Sequence, residues 1–396
     1  MLPYLLLWNE MMKKRLFQTA AILVLLGCVI IYGCITGYEQ SGIEGYRDIL
    51  IVEGIITNDT TIITLSKSIG INDRFSNKLF VENATLFVEC EGGVSSDISQ
   101  YTGNGEYLIE TGTLDDGLRY RLRIFWDGKE YESNYLKPVT TPEFMTSWRL
   151  DDKGYLNVCV STSDEQEEFR YYFWSYRENW EITANVFVDT FFFKGDTFIN
   201  DLSTRHNYYR CWKEEETHNF HIASSEMFDS NTINDHSLNA FPVSDERINT
   251  LYYIAIKQNL IRKEAYRYFS NIKKNVERTG TLFSPIPLEI PGNIVCVSHP
   301  NTPVIGYVEV STTTENQLYI TREEAYVEPE YAYDCFPILD GKILVIDPEW
   351  AYIWIFIDDV RLKAWMPVAC MDCTYQGPYG YKGSKEKPAW WPNDHL

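Results

Sequence analysis

Short runs of β-branched and aromatic residues, divided by turn-forming pairs, recur along the chain from residue 49 onward. Runs of this length are too short for independent helices and read as strands. They lie at 49–57, ending in the turn pair Asn58-Asp59, and then at 61–66, 84–90, 106–110, 119–126 and 129–135. Asp127-Gly128 stands between the last two, and an Asp-Gly pair between strands signals a tight hairpin. This spacing predicts an N-terminal β-sandwich of immunoglobulin or transthyretin type over residues 49–140. Pro138-Val-Thr-Thr-Pro142 marks its end.

The remainder, 144–396, is larger and also reads as β-rich. Its runs lie at 169–176, 183–193, 208–212, 251–256, 304–311, 317–321 and 342–346. After Asp347-Pro348 the run 350–357 fits a strand or a helix. One helix stands out, because Ile261, Ala265, Tyr268, Phe269, Ile272 and Val276 recur at three- and four-residue steps, with Gly280 as a stop. Its polar residues carry a net charge of +4, read as a solvated face rather than a docking face. The acidic run 164–168 reads as a solvated turn. The expected fold is therefore mainly β: a sandwich, then a larger β-rich domain carrying one amphipathic helix.

The N-terminus reads as an export signal. Lys13-Lys14-Arg15 precedes the apolar run 16–32, and Gly33 precedes Cys34. A cationic start, an apolar stretch and a small residue are the parts of a secretory leader, and a cysteine at that point resembles the lipobox of bacterial lipoproteins. The expectation is a signal peptide over 1–33, lipidation at Cys34 and a polar tether over 34–48. Cys28, after Leu25-Leu26-Gly27, is the alternative acylation site. Cleavage there would leave Val29 to Tyr32 as a greasy mature start, which favours Cys34. A plain membrane-spanning anchor would export the rest of the chain equally well.

The formal charge of −21 becomes −23 once residues 1–33, with three basic groups and one acidic one, are set aside. Such a surface repels phosphate backbones and anionic lipid, which excludes nucleic acid as a partner and a basic-patch mode of membrane docking. An aromatic content of 15% and a hydrophobic content of 45% are those of a folded chain.

No catalytic signature is present. His218 and His221 are three apart without the His-Glu-x-x-His pattern, and they read as exposed imidazoles on a strand or loop. There is no nucleophile elbow and no P-loop. The chain is expected to be neither an enzyme nor a holder of cofactor or metal. Cys370 and Cys373 have the spacing of a redox motif or half a zinc site. They lack a second pair and a thioredoxin-like context, which leaves a structural role: a local bridge or a bridge to a third cysteine. The aromatic group Phe173, Trp174 and Tyr176 reads as core. Trp390 and Trp391, between Pro388 and Pro392, are candidate stacking platforms for a ligand, with burial as the equal alternative.

Several stretches together resemble a family of Bacteroidota outer-membrane lipoproteins, the domain of unknown function 4249. They are Leu-Ile-Val-Glu-Gly-Ile-Ile-Thr at 50–57, Tyr209-Arg-Cys-Trp212, Lys263-Glu-Ala-Tyr266, Gly280-Thr-Leu-Phe283, Ile290-Pro-Gly-Asn-Ile294 and Val304-Ile-Gly-Tyr307. Cys370-Met-Asp-Cys373 and Lys387-Pro-Ala-Trp390 close the series. The resemblance implies a lipid-anchored outer-membrane protein encoded beside TonB-dependent receptors of the SusC-like type. It implies a non-enzymatic accessory or substrate-capturing role in nutrient uptake, with a structural or adhesive surface protein as the alternative. It carries over no catalytic residue.

Overall fold

Alternation of buried and exposed residues builds the first layers, as in β7 (Tyr120–Trp126), where Tyr120, Leu122 and Ile124 point inward and Arg121 and Arg123 outward. A computed structural model describes residues 49–68, 79–93, 96–164, 170–201, 207–216, 220–227, 230–278, 292–325, 335–342, 346–377 and 380–392. Cys34, Cys28, the tether and His218 lie outside the described residues, as do most of the acidic run and the run at 342–346. The described chain is mainly β, with 24 strands and one α-helix. No helix among these residues is long and apolar enough to cross a membrane.

The first eight strands are β1 (Leu50–Ile56), β2 (Asp59–Lys67), β3 (Leu79–Phe80), β4 (Thr85–Cys90), β5 (Gln100–Gly103), β6 (Glu106–Gly112), β7 and β8 (Lys129–Ser133). They form most of two sheets whose inner faces share one core: Val52, Ile63, Leu65, Tyr107 and Ile109 against Leu86, Val88, Leu122, Ile124 and Tyr131. The result is sandwich-like. The Asp127-Gly128 turn forms as read, with both residues at positive φ and Trp126 paired with Lys129.

Three strands of this assembly come from much later in the chain. β18 (Ile294–Cys296) pairs with β8, while β19 (Val304–Gly306) and β20 (Glu309–Val310) pair in parallel with β1. Asn293 fixes their return. Its buried amide donates to the Val308 carbonyl at 2.8 Å and accepts from the Val308 N–H at 2.8 Å. Gly306 is required beside it, because a Cβ there would stand 2.6 Å from the Val52 carbonyl oxygen.

The second core lies between two further sheets. One holds β9 (Phe144–Leu150), β10 (Tyr155–Ser163) and β16 (Thr232–Pro242). The other orders β14 (Arg210–Glu216), β11 (Tyr171–Thr183), β17 (Leu251–Ile261) and β21 (Thr313–Thr321), with β15 (His221–Ser224) beside β11. Even-numbered residues of β11 and β17 face this core: Tyr172, Trp174, Trp180, Tyr252, Ile254 and Ile256. Trp174 donates to Gln258 Oε1 at 2.9 Å, which satisfies its buried indole N–H.

The predicted helix is α1 (Lys263–Arg278), and Ala265 and Tyr268 seat it on Tyr171, Ile261 and Tyr307. Arg262, just before it, pairs with the fully buried Glu309 of β20. A third core includes residues of β12 (Thr190–Phe193), β23 (Trp350–Ile357) and β24 (Val360–Pro367); β13 (Asp196–Ile199) and β22 (Ile338–Leu339) complete that sheet. The run 350–357 is thus a strand. The single run expected at 183–193 divides instead, since β11 continues through Thr183 and β12 begins only at Thr190.

His221 is half-buried rather than exposed. Its ring centroid lies 5.4 Å from that of Tyr176, and His236 lies 5.2 Å from Trp174. Burial holds the His221 imidazole down at about 4, and it lowers His236 in the same direction. Both are neutral in the folded state at pH 7, whereas the unfolded chain binds their protons near 6.5. Stability from His221 is present above pH 6.5 and is lost as the pH falls from 6.5 toward 4, and His236 acts in the same direction. Thermal unfolding should show a falling midpoint over that window, with a shallower slope for His221→Gln. Asn293→Ala should cost on the order of 3 kcal/mol in denaturant titration, because it strands two buried backbone groups of Val308.

Candidate functional site

Odd-numbered residues of β11 and β17 point away from the second core and form an outer face. Arg177 and Asn179 lie in register with Ala255 and Tyr253, and Tyr253 lies in register with Tyr319 of β21. The C-terminal segment is drawn onto this face by covalent and backbone links. A disulfide joins Cys211 of β14 to Cys373, across 162 residues of sequence. Trp212 and Ser384 exchange backbone hydrogen bonds of 2.8 Å in both directions. Gly383 permits the approach, since a Cβ there would stand 2.5 Å from Cys211 Cβ. A second disulfide, Cys335–Cys370, ties the neighbouring segment to the third core. Of the two structural alternatives for Cys370 and Cys373, a mutual bridge is therefore not the one formed, and each is joined to a different distant cysteine.

The two C-terminal tryptophans differ. Trp391 is only 2% exposed, and its indole N–H donates to Glu181 Oε2 at 2.8 Å. The other oxygen of Glu181 accepts from Arg210 Nε at 2.7 Å. Trp391 is thus an anchor that closes over a buried ion pair, which corrects its reading as a stacking platform. Trp390 is 43% exposed and remains available for that role. Its ring lies 4.4 Å from Tyr253 and 5.5 Å from Trp391 between centroids, and Tyr319 lies 4.7 Å from Tyr253. The Arg177 guanidinium stands 6.0 Å from the Trp390 ring, at the edge of cation–π range.

Polar groups surround these rings. The Tyr253 hydroxyl donates to Gln317 Oε1 at 3.1 Å, and Lys257 pairs with Glu315 at 3.1 Å. Asn179, in register with Tyr253, is buried with its side-chain oxygen unpartnered, and the Trp212 indole N–H is likewise unpartnered. The exposed Trp390 ring, backed by buried Tyr253 and flanked by an arginine and the Gln317 amide, suits adsorption of a ligand with apolar faces and polar edges.

The same surroundings do not favour acid–base chemistry. Glu178 and Glu181 are both buried, but register puts them on opposite faces of β11. Glu178 accepts from Tyr252 at 2.6 Å and pairs with Arg247 at 3.3 Å. Burial pushes its carboxyl up, opposed by the Tyr252 hydroxyl and the Arg247 charge. The two carboxylates do not face each other across a cleft as a hydrolytic pair would. Among the described residues no group of three or more His, Cys, Asp or Glu converges on a metal position.

Period-2 reading of β11 and β17 would have placed Arg177, Asn179 and Tyr253 on one face. What sequence could not supply was the arrival of Trp390 and Tyr319 beside them. Trp391→Ala should destabilise by about 3–5 kcal/mol, the usual cost of removing a buried tryptophan. Trp390→Ala should cost about 1 kcal/mol or less. Chemical denaturation of the two variants measures both. Non-reducing peptide mapping should recover 211–373 and 335–370 pairs. On chain entropy the double serine variant of the longer loop should lose about 1.4 kcal/mol more than that of the shorter one.

No curated protein matches the chain. Among solved structures, the chain is similar to the chicken CNTN1 FN1–FN3 domains at 12% identity, over 54% of this chain and 63% of that one, with a TM-score of 0.14. That similarity carries no argument about fold or function. A family profile described as "Domain of unknown function (DUF4249)" matches residues 36–317. The match spans well over half of the 396 residues, and the chain belongs to the DUF4249 family.

Proposed function

We propose that this protein is a lipid-anchored accessory of the outer membrane, acting without catalysis as a substrate-capturing partner of a TonB-dependent, SusC-like receptor. In this reading Cys34, or Cys28, carries the lipid, and the anchored chain works at the cell surface or on the periplasmic face. The observation that carries the capturing role is the exposed Trp390 ring beside Tyr253, Tyr319 and Arg177 on a face closed by a disulfide. A site held on paired strands and a covalent tie is preorganised, so a ligand loses little by ordering it. Membership of DUF4249 is consistent with the lipoprotein resemblance of the sequence motifs, while the family description itself names no function.

A second reading, a structural or adhesive spacer, draws on the outer face of the first sheets. There Arg119, Arg121 and Arg123 alternate with Glu89, Glu91, Glu130 and Glu132 in a cross-strand ion-pair ladder. A face whose charges neutralise one another suits a spacer better than a ligand site.

Purification from native membranes in mild detergent separates the two readings. A barrel receptor should co-purify, and the N-terminal peptide should carry a diacylglyceryl cysteine at 34 or 28. Deleting the gene should reduce import through that receptor, and Trp390→Ala should reduce it with the protein still present at normal abundance. Unchanged uptake of every nutrient tried, with no barrel recovered, would leave the spacer reading in place.

A further inference from the structure

The β23–β24 hairpin carries an aromatic face that the fold uses only at its base, where Tyr352 stacks on Phe192 and the Trp365 indole N–H donates to Asp340. Its tip is the pair Asp358-Asp359, both at positive φ, with Ile357 opposite Val360. One side of the hairpin, through Ala351, Ile353, Ala364 and Met366, enters the third core. The other side aligns Tyr352 with Trp365, Trp354 with Lys363 and Phe356 with Arg361. Sheet neighbours support only the base. β12 reaches Tyr352, and β22 reaches Trp365 and Ala364. Beyond these residues the two strands pair only with each other among the described residues, and a lone two-stranded ribbon is marginal in water.

This unsupported end nevertheless exposes large apolar side chains. On the outer side Phe356 is 70% exposed with Trp354 exposed beside it, and at the tip Ile357 and Val360, on the opposite side, are exposed because the third core does not reach that far. Two cations lie over the rings: Arg361 at 4.4 Å from the Trp354 centroid, and Lys363 at 4.2 Å from Tyr352 and 4.4 Å from Trp365. Neither cation meets a carboxylate among the described residues, on a chain whose net charge is −21. Aromatic rings interleaved with arginine at an exposed position are the residue types that carry binding energy in protein interfaces.

We infer that the outer face of this hairpin is a docking surface for a protein partner that offers an apolar cleft edged by carboxylates. The apolar tip enters the cleft, and the partner's carboxylates meet Arg361 and Lys363, which pair with no carboxylate among the described residues. Resting on the function proposed above, the partner is the outer-membrane receptor, and the hairpin is the contact through which the two associate. A lipid surface fits less well, because Asp358 and Asp359 would lead the hairpin into it. The Trp390 face is left free for ligand.

The test uses the full lipoprotein and the purified receptor encoded beside it, both in detergent, with affinity read by an optical biosensor. Phe356→Ser and the pair Arg361→Glu with Lys363→Glu are compared with wild type after thermal unfolding shows unchanged midpoints. Expected are wild-type binding, a loss of about 30-fold or more for Phe356→Ser, and a slower, less salt-sensitive association for the charge-reversed form. Wild-type binding that both variants keep within twofold overturns the hairpin assignment while sparing the proposed function. No wild-type binding overturns both. Hairpin-dependent flotation with anionic vesicles, or hairpin-dependent dimerisation in sedimentation, without receptor binding would assign the face to lipid or to a second copy and overturn the inference.

Discussion

The antiparallel pairing of β11 with β17, continuous from Tyr171 opposite Ile261 to Glu181 opposite Leu251, is the constraint on which the rest depends. It sends Trp174, Trp180, Tyr252 and Ile254 into the second core and leaves Arg177, Asn179 and Tyr253 on the outer face. A slip of one residue would exchange the two sets, because side chains alternate with a period of two. The burial of Tyr172, Trp174 and Tyr252 makes that exchange costly. The same register separates Glu178 from Glu181 and gives each its own arginine, Arg247 and Arg210.

Buried charge is used in the same way where the late strands return to the first sheets. Burial pushes the Glu309 carboxyl up, while Arg262 and the backbone N–H groups of Arg262 and Val310 favour its charged form. Removing either partner would strand the other, which is the expensive way to break a buried pair. Arg262 stands between the end of β17 and the start of α1, and Glu309 lies on β20. The pair therefore links the helix, the strand before it and the first sheet at one point. Asn293 adds a second tie a short distance along the returning chain.

Local signals were legible wherever one physical cause determined the outcome. Asp127-Gly128 needed only its turn chemistry, and α1 only its apolar stripe. β16 was not legible, because Thr232–Pro242 buries chiefly Ile233, Leu238 and Phe241 and otherwise reads as a polar loop. Its strand character comes from pairing with β10, a partner some eighty residues away. The distinction between Trp390 and Trp391 was equally hidden. Adjacent and identical in type, they differ only because Glu181, fixed by the distant register of β11, waits for one indole N–H. The disulfides follow the same rule, since the partner of Cys373 is Cys211, 162 residues earlier in the chain on a strand placed by its pairing with β11.

The exposed aromatic groups of the two proposed contact surfaces share a position in the chain. The family match ends at residue 317, within β21. Trp354, Phe356 and Trp390 all lie beyond it, as do Cys335, Cys370 and Cys373. The matched part supplies most of the paired strands, the buried ion pairs and the base of the aromatic face at Tyr253. The later part supplies Trp354, Phe356 and Trp390, and it is held to that base by Cys211–Cys373 and by Trp391 on Glu181. Paired strands resist change because register and burial depend on each residue in them. A segment tied at a few points varies between those ties at little cost to the core. Under the proposed reading, contacts with ligand and receptor are concentrated in that later part, on the solvent side of one hairpin and in a segment tied at a few points, where residues can change without disturbing the first two cores.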